Sequence, residues 1–131
     1  MNITPIYAAI FGLFFIALSV RTLLLRRKLG VAIGDSEQAV LLRASRVHSN
    51  FAEYVPIALL LIFFLENQLE GLATSGLWIH GLCLLLLVGR IIHALGVSQV
   101  NEDYRWRTLG MALTLTVLGS AALWLLAAAI L

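Results

Sequence analysis

The sequence predicts an all-α fold, an integral membrane four-helix bundle forming a single domain over residues 1–131. Three observations predict it. Hydrophobic residues make up 61% of the chain and charged residues 12%, against about half and about a quarter in soluble domains. The apolar residues gather in four long segments, each close to the ~20 residues that a helix needs to cross a bilayer. Short polar connections separate these segments. A soluble domain of this length could not bury so much apolar surface, so lipid is the expected solvent.

The first span is expected over about residues 5–25. Pro5 suits the first turn of a helix, and Arg21 lies within snorkelling reach of the interface. Arg26, Arg27 and Lys28 end the span. Residues 1–4 carry no basic group, so this span reads as retained rather than as a cleaved signal. Gly30, Gly34, Asp35 and Ser36 supply a turn, and Ser36 with Asp35 is expected to cap a second helix starting near Glu37. The second span is placed at about 43–66. Pro56 lies inside it and is expected to kink it or to disturb one turn, which membrane helices tolerate when neighbours satisfy the freed carbonyl. Glu66 and Glu70 read as solvated charges of the next loop, which reaches Ser75.

The third span covers about 76–96 and brings Arg90 and His93 near its end. Val97 to Arg107 form the next connection, with Glu102 and Asp103 as solvated charges. The fourth span, about 108–131, has no charge. Its small residues, Gly110, Ala112, Gly119, Ala122 and Ala127, permit close helix packing. Trp78, Tyr104 and Trp106 fall where an aromatic belt is expected.

Composition also excludes some functions. A formal net charge of +2 gives no basis for binding nucleic acid. Cys83 stands alone, so no intrachain disulfide forms, and among leucines it reads as an apolar filler. His48 falls roughly 160° from Arg46 around the helix, and His80 and His93 lie at opposite ends of the third span, so no metal site is expected. Lys and Arg concentrate in the first and third connections, which places those in the cytoplasm and both termini outside.

The feature that calls for a function is a polar stripe on the second helix. Arg43, Arg46, Asn50 and Glu53 follow one another at spacings of three, four and three residues. At about 100° per residue they share roughly 80° of arc. Guanidinium, amide and carboxylate groups are expensive at the edge of a bilayer and there signal a binding role. Topology brings Arg90, His93, Arg105 and Arg107 to the same membrane face. Arginines suit carboxylates or phosphates, and Glu53 suits an ammonium group. Tyr54 and His93 add polar tips. A ligand with carboxylates and an amine uses the whole set. Structural readings stand beside this one: Arg43 as an interface anchor, the stripe as a polar network between helices, and Arg90 as the ion-pair partner of Glu53.

The run Arg46-Val-His-Ser-Asn50-Phe-Ala-Glu53-Tyr54-Val-Pro56 resembles the signature of the MAPEG family, the membrane-associated proteins in eicosanoid and glutathione metabolism. Gly89-Arg90-Ile-Ile-His93 and Arg105-Trp106-Arg107 are similar to that family too, and the likeness spans nearly the whole chain. It is closest to small bacterial members. The resemblance implies homotrimers of four-helix subunits, with glutathione held between protomers near the cytoplasmic face. Arg46, Asn50, Glu53, Tyr54, Arg90 and His93 match its glutathione-binding positions, and one of Arg26 and Arg27 matches a basic contact at the end of the first helix. Arg107, or alternatively Arg105, matches the arginine that activates the thiol. Val97 departs from the pattern, since several members carry tyrosine there.

The expected function is therefore a multi-pass membrane enzyme of the glutathione transferase or peroxidase type in a bacterial inner membrane. Glutathione is its co-substrate, with no metal, and a lipophilic electrophile reaches it through the membrane lipid. A nearby guanidinium would favour the thiolate, the nucleophilic form. The alternatives are a non-catalytic MAPEG-like protein binding an anionic small molecule or lipid, and a small four-helix transporter.

Overall fold

A computed structural model describes residues 3–69, 75–101 and 103–130. Glu70, Glu102 and most of the second connection lie outside the described residues. Four helices follow in order: α1 (Thr4–Leu29), α2 (Ala39–Gln68), α3 (Ser75–Ser98) and α4 (Tyr104–Ile130). All four are long and apolar enough to cross a membrane. Each begins or ends beyond its expected span, its helical hydrogen bonding continuing past the apolar stretch.

The packing order is simple. α1 lies mainly on α2, α4 lies mainly on α3, and α2 contacts both α3 and α4. Among the described residues α1 and α4 do not pack on one another, so α2 and α3 form the middle of the bundle. The apolar core runs along it through Phe11, Phe51, Ile62, Leu86 and Val117, all essentially inaccessible. Large apolar residues such as Leu13, Ile16, Leu60 and Leu123 point outward, as a lipid-facing surface requires.

Helix ends show where local chemistry departs from the sequence reading. Pro5 does sit in the first turn of α1. Gly30 ends that helix at φ 67°, its N–H returning to the Arg26 carbonyl. This left-handed cap suits a residue without Cβ. The Arg26 guanidinium then donates to the carbonyls of Ala32 and Gly34, at 3.3 and 2.8 Å. Ser36 does not cap α2. Ser36 and Glu37 both take positive φ, 48° and 61°, inside a turn where the Glu37 N–H donates to Asp35 Oδ1 at 3.1 Å. The helix therefore begins at Ala39, two residues later than expected, with Gln38 at the N-cap. Further on, α2 runs through Pro56 as one continuous helix.

Two acidic residues expected to be solvated loop charges bind helix ends: Glu66 is half-buried, while Asp103 is exposed as expected. The Glu66 carboxylate accepts the backbone N–H of Ile3 through Oε1 and that of Thr4 through Oε2, the latter at 3.0 Å. It thus satisfies donors at the start of α1 that have no partner within the helix. Asp103 does the same for α4: its Oδ1 accepts the Arg105 N–H at 3.0 Å and its carbonyl the Trp106 N–H at 3.2 Å. Arg105 and Arg107 consequently belong to the first turns of α4 rather than to a connection.

Candidate functional site

Three helices surround a cavity of about 290 Å³ at the end of the bundle that holds the first and third connections. α2 contributes Arg43, Arg46 and Asn50, α3 contributes His93 and Val97, and α4 contributes Tyr104 and Arg107. The volume is near the lower bound for small-ligand sites. Three guanidinium groups on one such wall give it donors whose chemistry suits an anion.

Glycine contacts set the cavity's shape. A Cβ at Gly110 would lie 2.6 Å from both the Cβ and the backbone nitrogen of His93, and 2.7 Å from the Gly89 carbonyl oxygen. One at Gly96 would lie 3.0 Å from the Arg107 nitrogen. α3 and α4 therefore meet backbone to backbone at two levels, and this brings the first turns of α4, with Tyr104 and Arg107, against the His93 end of α3. Close approach at small residues is how helices associate in lipid. Of the five small residues expected to serve this purpose, Gly110 does so, while Ala112, Gly119 and Ala127 face outward.

Two arginines hold the C-terminal end of α3. Arg43 Nη1 donates to the Val97 carbonyl at 3.2 Å, and Arg21 Nη1 donates to Ser98 Oγ at 2.7 Å. The last carbonyls of a helix lack partners within it, and Arg43 meets one of them while also lining the cavity. It is thus more than an interface anchor.

Arg90 stands behind the cavity, fully buried. Its Nη2 donates to Asn50 Oδ1 at 2.7 Å and lies 3.2 Å from His93 Nδ1. Its Nη1 reaches Met111 Sδ at 3.9 Å, and its guanidinium carbon stands 5.8 Å from the centre of the Phe51 ring. The Nε atom is buried without a partner. Arg90 thus turns to Asn50 and His93, and not to Glu53, whose side chain is exposed.

The stripe is graded in depth. Arg43 and Asn50 are half-buried toward α3, whereas Arg46 and Glu53 are exposed. Tyr54 is half-buried and, like Glu53, lies outside the cavity wall. Arg26, Arg27 and Arg105 do not line it either, while Arg107 does. Tyr104, read from the sequence as a belt residue, is part of the wall. Its position three residues before Arg107, on the same helix face, is the signal that could have placed it there. The other two histidines have structural partners: His48 Nε2 lies 3.0 Å from Ser19 Oγ with its ring stacked on Phe15 at 4.7 Å, and His80 Nδ1 lies 3.2 Å from the Tyr7 hydroxyl.

The chain is 34% identical over 113 residues to the inner membrane protein YecN of Escherichia coli strain K12, covering 86% of this chain and 81% of that protein. The protein of the same name from Escherichia coli O6:H1 matches equally, 34% over 113 residues. No solved structure matches. The sequence profile of the MAPEG family matches residues 4–129. With four spanning helices and a match over nearly its whole length, the chain belongs to the MAPEG family.

Proposed function

We propose that the protein binds glutathione at this cavity and activates its thiol for attack on a lipophilic electrophile, as a membrane-embedded glutathione transferase or peroxidase. The observation that carries the reading is the convergence of Arg43, Arg46, Asn50, His93 and Arg107 from three helices on one cavity. Glutathione brings two carboxylates, one ammonium and one thiol. The arginines match the carboxylates, and Glu53, one turn from Asn50, matches the ammonium. Arg107 sits beside the cavity where a guanidinium can stabilise a thiolate. In the transfer step the thiol proton leaves to solvent, the sulfur lone pair forms the S–C bond, and the electrophile's displaced group departs with the electron pair.

The exposed pair Arg46 and Glu53 supports assembly as a homotrimer. A carboxylate and a guanidinium in a spanning segment are costly against lipid, and a neighbouring protomer packed on this face covers them and completes the site. The name of the Escherichia coli relative supports a bacterial inner membrane. The basic first and third connections support non-cytoplasmic termini.

The test is ultraviolet difference absorbance of glutathione with detergent-purified protein, paired with calorimetry. A thiolate band with measurable binding is the expected result. Binding without the band favours a non-catalytic anion-binding protein, and no binding overturns the proposal.

A further inference from the structure

We propose that Arg90 is a positioning residue, whose buried guanidinium makes the Asn50 amide and the His93 imidazole meet the cavity as hydrogen-bond donors. The inference rests on reading this cavity as a ligand site. It does not depend on which anion fills it.

Burial is the first observation. Arg90 has no accessible surface, and the hydrogen-bond partners of its guanidinium are an amide oxygen, an imidazole nitrogen and a thioether. Its Nε makes no bond at all. A charge held this way costs stability, and an apolar residue of similar volume would pack at least as well. The position therefore calls for an explanation other than packing.

Donor chemistry supplies it. A guanidinium has N–H groups and no acceptor. Facing Asn50 at 2.7 Å, it fixes the amide with its oxygen inward, because the flipped amide would set N–H against N–H. The amide's NH2 branch is then directed away from Arg90. Facing His93 Nδ1 at 3.2 Å, the same Nη2 requires a lone pair there. His93 is thereby held neutral with its proton on Nε2, since imidazolium would again oppose two donors. Asn50 and His93 both line the cavity. Together with Arg43, Arg46 and Arg107 they give it a wall composed mainly of donors. Such a wall accepts carboxylate oxygens and rejects neutral ligands that bring donors of their own. One buried residue thus sets the polarity of two others that line the cavity in front of it.

The experiment reads His93 directly. Protein labelled with 15N-histidine, in detergent and without ligand, gives a long-range proton–nitrogen correlation spectrum, with the three imidazoles assigned by single substitution. Wild-type His93 is expected to show the neutral Nε2–H pattern. In Arg90→Met this pattern gives way to mixed tautomers or imidazolium at about pH 6.5, near the ordinary histidine value, and glutathione Kd rises about tenfold, as for one lost charge-matched contact. Arg90→Lys, which keeps a donor, shows a smaller change in both. Wild-type His93 protonated at Nδ1 overturns the proposal, as does an unchanged pattern in a folded Arg90→Met. The wild-type spectrum decides alone if that variant fails to fold. Because it is recorded without glutathione, absence of glutathione binding counts against the function proposed above and leaves this result intact.

Discussion

Gly110 lies against His93 so closely that one methyl group on the glycine would come 2.6 Å from the histidine Cβ. The atoms it would also meet, the His93 nitrogen and the Gly89 carbonyl oxygen, are backbone and cannot rotate away. Gly110→Ala is thus expected to push α4 off α3, at a cost of about 1–3 kcal/mol for overpacking. Thermal unfolding in detergent should show the loss. Glutathione affinity should fall with it, because the distance between α3 and α4 sets the width of the cavity. Gly119→Ala, on the outward face of α4 with no neighbour within 4 Å, should leave both unchanged.

Glu66 joins the end of α2 to the start of α1 by accepting two backbone N–H groups. Removing it in Glu66→Ala leaves those part-buried donors without this acceptor, at about 1–3 kcal/mol. A lower unfolding temperature with unchanged glutathione affinity is expected, since the site lies at the other end of the bundle. Glu66→Gln, which keeps an oxygen for one of the two donors, should recover part of the loss.

Arg107 separates binding from activation. Arg107→Ala should abolish the thiolate band and turnover while glutathione remains bound through Arg43, Arg46 and Asn50. Arg105→Ala, whose side chain does not line the cavity, should keep both. A thiolate band that survives Arg107→Ala and disappears in Arg105→Ala would reverse the assignment.

Glu53 is expected to hold the ligand's ammonium. Glu53→Gln should raise the Kd for glutathione about tenfold, within the range for a hydrogen bond to a charged group. It should change little for an analogue lacking the amino group. Equal losses for both ligands would instead place Glu53 in subunit packing, read out by cross-linking or native mass spectrometry.

What the sequence determined by itself is the fold class, the number of spans and the stripe. Each rests on a periodic or cumulative signal along one helix. Hydropathy sums over about 20 residues, and side chains three or four apart must share a face whatever surrounds them. Residues 46, 50 and 53 were legible for that reason, and their pattern also carried the family. Charges beyond the stripe were not so legible. Glu66 read as a solvated charge and Arg21 as an interface group, yet each binds a group at a helix end, as Arg43 within the stripe also does. For Glu66, Arg21 and Arg43 that group is on another helix, and no local pattern records which helix end comes within reach.

Tertiary structure alone decided which side chains meet the cavity. Two arginines in similar sequence settings parted because α4 begins at Tyr104, which turns Arg107 to the cavity and Arg105 away. The glycine contacts at Gly89, Gly96 and Gly110 fixed the distance between α3 and α4, and with it the cavity's width. Arg90, indistinguishable in sequence from a ligand contact or an ion-pair partner of Glu53, was placed behind the wall by burial against Phe51 and Met111. Sequence periodicity assigns a side chain to a face. Which neighbour that face meets, and at what depth, depends on the packing of helices far apart in the chain.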